Sequence, residues 1–243
     1  MRDDRGMTGT LYGVGVGPGD PGLLTLKGRD VLLRAAAVFV PAPGEGKPSL
    51  AMGIVREAGL GGLDFRPLVF PMSRDEKVLA ASWDAAAARV CDVLRDGKDA
   101  AFITLGDPGV YSTFSYLAAA VRRRLQGVRI ETVPGVTTMN LAAALVNRPL
   151  VEGDERLCLL PLPEDLGELG ALARSFDTLV LYKIGPRLRE AVEALTRLGL
   201  ARSSSFVGRA GLPDQIVAPE LGDIPGDAAG YLSALIVRTG RTA

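Results

Sequence analysis

Between residues 8 and 135, short β-branched and apolar runs alternate with longer stretches of helical periodicity. That alternation confines the chain to β-α-β units around a largely parallel sheet. Thr10–Val16, Ala36–Val40, Arg66–Phe70, Ala100–Leu105 and Val128–Val133 read as strands, with helices over 25–35, 49–59, 74–96 and 111–126. Ser73 and Glu76 fit a capping box at the start of the third helix, a hydroxyl and a carboxylate each satisfying a free backbone N–H. Asp96-Gly97 stops that helix, and Trp83, Val90 and Leu94 give it a buried face.

After Pro134-Gly135 the rhythm changes. A short apolar helix over 137–146 leads to strands Leu157–Leu162, Thr178–Ile184, Ser204–Arg209, Gln215–Ala218 and Leu232–Val237, with one helix over 186–198 among them. Gly211-Leu212-Pro213-Asp214 reads as a hairpin turn. The expected fold class is therefore α/β with two α/β domains. Residues 8–135 hold a mostly parallel sheet and residues 136–243 a mixed one. The stretch Pro41–Pro48 is a loop by composition.

The chain of 243 residues contains no histidine. That excludes Ser-His-Asp and Cys-His machinery, HExxH zinc sites and imidazole proton shuttles. Cys91 and Cys158 are too few for a disulfide framework, and with no histidine beside them no metal site is expected. Lys+Arg and Asp+Glu number 28 each, so no broad basic surface for nucleic acid is expected. No apolar run reaches the roughly 18 residues of a membrane span. The first ten residues, MRDDRGMTGT, lack the apolar core of a signal peptide, so the expected location is cytoplasmic.

Three motifs follow predicted strands. In GVGVGPGDPG, Gly17, Gly19 and Gly22 match the spacing G-x-G-x-x-G of dinucleotide-binding turns. Pro18 and Pro21 lack the N–H groups such a turn offers a pyrophosphate, and the second strand ends at Val40-Pro41 without the acidic residue that holds a ribose. A nicotinamide- or flavin-dependent oxidoreductase is thus the weaker reading. A tight turn entering a helix, with Asp20 capping and Pro21 fixing φ, accounts for the same residues. In TLGDPGVYSTFSY, Asp107, Tyr111, Ser112, Thr113 and Tyr116 crowd the carboxyl end of a strand, where open α/β sheets bind ligands. In VPGVTT, Thr137 and Thr138 either cap the next helix or present hydroxyls to a ligand.

Taken in order and spacing, YGVGVGPGDPGLLTLKG, Pro41, the GDP loop, PGVTT and the closing YLSALIV resemble the tetrapyrrole methyltransferases that use S-adenosylmethionine. The likeness covers residues 10–238. TLGDPGVYSTFSY and LVEGDERL are most similar to the precorrin-2 C20-methyltransferases of cobalamin synthesis. Gly22 stands where relatives usually have glutamate, and Lys183 where the uroporphyrinogen enzyme often has methionine.

The resemblance implies a cofactor, S-adenosylmethionine, held in a cleft between the domains, with no metal of the enzyme's own. It implies a tetrapyrrole acceptor, precorrin-2 or cobalt-precorrin-2, methylated at C20, and a homodimer. Another tetrapyrrole acceptor of the same family is the alternative, and a noncatalytic tetrapyrrole carrier is a further one. Carried over residue by residue, the implied cofactor site is Pro21, Pro41, Gly106, Asp107, Val110, Tyr111, Thr137, Thr138, Tyr182, Lys183, Ala210 and Ala234. Asp107 and Lys183 are the implied catalytic residues. Asp107 either holds the donor or supports the structure, or else takes up a proton. Candidate cations for the acceptor's carboxylates are Lys47, Arg74, Arg148, Lys183, Arg187 and Arg209, while Arg122–Arg124 read as a solvated face. Glu152 and Asp154 are candidates for a weak base or simply for a turn.

Overall fold

The computed structural model describes residues 8–240, apart from Pro43, Glu45, Lys47, Met72 and Arg74. Among these, β1 (Leu11–Gly15), β2 (Ala37–Ala42), β3 (Phe65–Val69), β4 (Ala100–Thr104) and β5 (Ile130–Val133) form one sheet in the order β3-β2-β4-β1-β5. All four pairings are parallel. Helices α1 (Leu26–Arg34) and α2 (Leu50–Val55) cover one face, packing on Val14, Val38, Ala101 and Ile103. Helices α3 (Glu76–Arg95) and α4 (Phe114–Arg124) cover the other, on Leu11, Phe39, Ala100 and Phe102. Alternate strand residues thus serve opposite layers, as the two-residue period of a strand requires. Each fully buried large side chain contributes about 1.5–3 kcal/mol.

Helix α3 begins differently from the sequence expectation. Its N-cap is Asp75, whose Oδ1 accepts from Lys77 N at 2.8 Å and Val78 N at 3.4 Å. Ser73 instead accepts from the Asp75 N–H at 3.0 Å, which fixes the entry of the chain. A carboxylate at this position meets both the free N–H groups and the positive end of the helix dipole, so it outcompetes the serine two residues earlier. Val90 and Leu94 are fully buried as expected, while Trp83 is half-buried, stacked between Phe70 and Tyr116.

The chain divides into two units, Met1–Thr137 and Thr138–Ala243. In the second, β6 (Leu157–Pro161), β7 (Thr178–Tyr182), β8 (Ser204–Gly208), β9 (Ile216–Ala218) and β10 (Ser233–Arg238) run in the order β6-β7-β10-β8-β9. Only β6 and β7 are parallel, and the expected mixed sheet results. Helix α5 (Thr138–Leu145) packs on Val180, Val207, Ala234 and Ile236. On the opposite face α6 (Glu168–Ser175) and α7 (Leu188–Arg197) pack on Leu179, Leu181, Phe206 and Leu235. The sequence pattern does not predict α6. It is only 8 residues long and includes Gly170, too little to show a period.

The ends of β7, β8 and β10 also fall short of the expected runs for one shared reason. Lys183, Arg209 and Leu232 have φ of 54°, 50° and 53°, outside any strand conformation. Among the described residues no helix is long and apolar enough to cross a membrane.

Candidate functional site

Because every strand of the first sheet is parallel, all five carboxyl ends share one edge. The chain leaves β1 toward β2 and leaves β4 toward β5, in opposite directions across the sheet, so the switch point lies at the tips of β1 and β4. There Gly106 N donates to Gly17 O at 2.8 Å and Gly17 N to Gly106 O at 3.3 Å, extending the pairing past the strands. The loop after β5 closes on the same point. A Cβ on Gly135 would lie 2.3 Å from the Gly106 carbonyl oxygen and 2.8 Å from Gly15 Cα, so only glycine permits this approach.

Asp107 ties these loops together. Its Oδ1 accepts from Gly109 N at 2.7 Å and its Oδ2 from Gly135 N at 2.9 Å. Beside it, Ser112 Oγ donates to Thr104 Oγ1 at 3.0 Å and accepts from Phe114 N at 3.1 Å, anchoring the start of α4 to the strand tip. Tyr111, between them, has φ of 49° and is 48% exposed, and Val110 N donates to Asp107 O.

The other residues implied for this unit lie on the same edge or just beyond it. Asp20 caps a single turn of 3-10 helix (Pro21–Leu23), accepting from Gly22 N at 2.7 Å, with Pro21 at its first position. Pro41 lies inside β2 rather than after it, paired with Leu68. Thr137 closes the β5 loop, and Thr138 opens α5 as the first residue of the second unit. The three loops over 13–25, 104–113 and 133–138 contain no lysine or arginine and carry two carboxylates, Asp20 and Asp107.

In the second unit a separate group gathers at one end of the sheet. Leu235 pairs with Leu181 and Ser233 with Gly208, so Lys183, Leu232 and Arg209 are neighbours on adjoining strands, all three left-handed. Arg209 N donates to Leu232 O at 2.8 Å, and Gly185 N to Gly230 O at 3.1 Å. Such backbone costs about 1–3 kcal/mol per residue and collects at ligand clamps and active sites. Tyr182 is half-buried at the end of β7, Lys183 is exposed, and Ala210 and Ala234 are buried.

The candidate cations separate on geometry. Arg209 pairs through Nε with Asp214, and that bond holds the Asp214 carboxyl below its ordinary range. Arg187 departs from the expectation. Its guanidinium is committed to Glu190, to Pro163 O at 2.8 Å and to Glu164 O at 3.0 Å, which pins the start of α7 and leaves little for a substrate. Arg148 lies 3.4 Å from Ser205 Oγ. Lys47 and Arg74 lie outside the described residues. Glu152 and Asp154 are exposed in a turn, where Glu152 N donates to Glu155. Among the described residues no group of acidic or cysteine side chains is arranged to hold a metal ion.

A family model described as tetrapyrrole (corrin/porphyrin) methylases matches residues 10–225. The chain belongs to that family. Among relatives of this tetrapyrrole methylase, the probable cobalt-precorrin-2 C(20)-methyltransferase of Methanocaldococcus jannaschii is 36% identical over 234 residues, covering 94% of this chain and 95% of its own. The cobalt-precorrin-2 C(20)-methyltransferase of Salmonella typhimurium is 31% identical over 232 residues, 95% of this chain and 97% of its own. The crystal structure of uroporphyrin-III C-methyl transferase from Thermus thermophilus complexed with S-adenyl homocysteine superimposes with a TM-score of 0.62 at 24% identity, covering 95% and 97% of the two chains. This methylase therefore shares the two-unit α/β fold of that enzyme. The sequence pattern marks the GDP and PGVTT loops but not the bond between them. The signal lay in Asp107 and Gly135 together, 28 residues apart.

Proposed function

We propose that this methylase uses S-adenosylmethionine to methylate C20 of precorrin-2 or cobalt-precorrin-2. The observation that carries the reading is the strand-tip cradle of the first unit. Gly17, Gly106 and Gly135 bring three loops into backbone contact there, and those loops carry two carboxylates and no cationic side chain. Loops with carboxylates and no cationic side chain suit a cationic ligand better than a pyrophosphate. The similarity to two C(20)-methyltransferases over nearly the whole chain supports the acceptor and the position. The S-adenyl homocysteine complex of a protein of this fold supports the donor.

When bound, S-adenosylmethionine supplies a methyl group already activated on a sulfonium centre. The residues of this chain then have to bind, orient and exclude water, for which well-aligned sites supply about 7–11 kcal/mol of the barrier. Gly106, Asp107, Val110, Tyr111 and Thr137 would frame the donor in the first unit, with Pro21 and Pro41 on the same edge. In the second unit, Thr138, Tyr182, Ala210 and Ala234 are the residues that the family resemblance implies. Lys183 and Arg209, held in fixed left-handed backbone, would meet carboxylates of the acceptor, since charge-assisted bonds to carboxylates are the strong ones. The lack of histidine is no obstacle, because an electron-rich macrocycle carbon needs no strong base to become a nucleophile. A cytoplasmic homodimer completes the reading, and sedimentation would test the dimer.

The decisive experiment is incubation with precorrin-2 and with cobalt-precorrin-2, using donor labelled with 13C in the methyl group. The reading requires a mass gain of one CH2 and a label on C20 by NMR. A label on another carbon, or transfer only to uroporphyrinogen III, would overturn the assignment of position or acceptor. Fluorescence titration with NADPH should give no response.

A further inference from the structure

We propose that Asp107 is a positioning residue, which locks the loop after β5 onto the tip of β4 and acts on the donor site through that loop rather than by taking a proton. The inference rests on the donor site proposed above. Its basis is where the two carboxylate oxygens go. One accepts from Gly109 N at 2.7 Å within its own turn, and the other accepts from Gly135 N at 2.9 Å in a different loop. Bonds from N–H to an ionised carboxylate are roughly twice as strong as neutral ones.

The second bond lies where the backbone has least freedom. Gly135 packs against Gly15 and the Gly106 carbonyl with no room for a methyl group, so the loop can close only if something holds it there. No side chain of Gly135 can do so, and the Asp107 carboxylate does. Directly beyond Gly135 come Val136, Thr137 and Thr138, so the bond fixes the path of the chain into the threonines. A proton on the carboxylate would remove the charge that strengthens both bonds and so weaken this contact. Proton uptake therefore works against loop closure, and the structure shows the closure.

Asp107→Asn tests this. The amide keeps the size of the side chain and one acceptor, but its NH2 group opposes one of the two N–H donors. S-adenosylhomocysteine binding by calorimetry should weaken roughly ten- to a hundredfold. The KM for the donor should rise by a similar factor, while kcat falls far less and the limbs of its pH profile stay in place. Hydrogen exchange over residues 133–138 should quicken. Unchanged S-adenosylhomocysteine affinity with kcat lower by about a hundredfold or more, the size of a lost general base, would overturn the proposal.

A wild-type measurement guards against a variant that does not fold. The Gly135 amide should exchange slowly with solvent, as a hydrogen-bonded N–H does, and a Gly135 amide that exchanges like a free loop N–H overturns the proposal as well. If the wild-type chain binds no S-adenosylhomocysteine, the donor-site reading fails, while the exchange rate of the Gly135 amide still reports on the lock.

Discussion

Arg238 and Glu155 meet in a bidentate pair, with Nη1 2.7 Å from Oε2 and Nη2 2.8 Å from Oε1. Arg238 Nη1 also donates to Leu150 O at 3.0 Å and to Thr178 Oγ1 at 3.1 Å. The pair thus fastens the segment between α5 and β6 to the end of β10. The hydrogen bond from Arg238 holds the Glu155 carboxyl below its ordinary value. A carboxyl lowered in the folded chain contributes stability above its unfolded pKa, about 4.3, and loses it as pH falls through the folded value. Glu155→Gln should melt about 5 °C lower at pH 7, and its deficit should shrink as the pH is taken below about 4.3. Thermal melts from pH 7 downward check this, and a deficit that stays constant with pH would contradict it.

The close approach of Gly135 to Gly15 and Gly106 is a second test. Gly135→Ala places a methyl carbon 2.3 Å from a backbone oxygen, and backbone cannot give way as a side chain can. The expected cost is about 1–3 kcal/mol of stability, or more. Binding of S-adenosylhomocysteine should disappear by calorimetry. By contrast, Gly127→Ala has nothing within 4 Å of its Cβ, and with φ of 76° it should cost only the left-handed strain, about 1–2 kcal/mol, with binding intact.

Lys183 combines strain and charge at one position, and two substitutions separate them. Lys183→Ala and Lys183→Gly both remove the side chain, but alanine keeps the left-handed penalty and glycine does not. The glycine variant should be the more stable of the two by about 1 kcal/mol in urea melts. Both should raise the KM for the tetrapyrrole roughly tenfold, as expected for a lost charge-assisted bond. A KM unchanged in both would remove Lys183 from the acceptor site.

Burial pushes the thiols of Cys91 and Cys158 above their ordinary values. The reactive form is the thiolate, so fully buried Cys91 should not be labelled by Ellman's reagent at pH 8 in the folded chain, and partly buried Cys158 should react more slowly than a free thiol. Both should react after denaturation. Rapid labelling of either in the native protein would contradict their placement.

The sequence determined a good deal by itself. The β-α-β period, the proline and glycine stops and the change of rhythm after Gly135 set two α/β units, because these signals are local and every residue in them obeys one short-range rule. The order of GPGDP, GDP and PGVTT marked the strand tips where a ligand site would form. Tertiary structure decided what depends on partners distant in the chain. The left-handed backbone of Lys183, Arg209 and Leu232, which cuts three strands short, has no local signal, since none of the three is a glycine. The commitment of Arg187 to the carbonyls of Pro163 and Glu164 required the 160s loop to return beside α7. The bond from Asp107 to Gly135 exists only because β4 and β5 flank β1, a pairing no local pattern encodes.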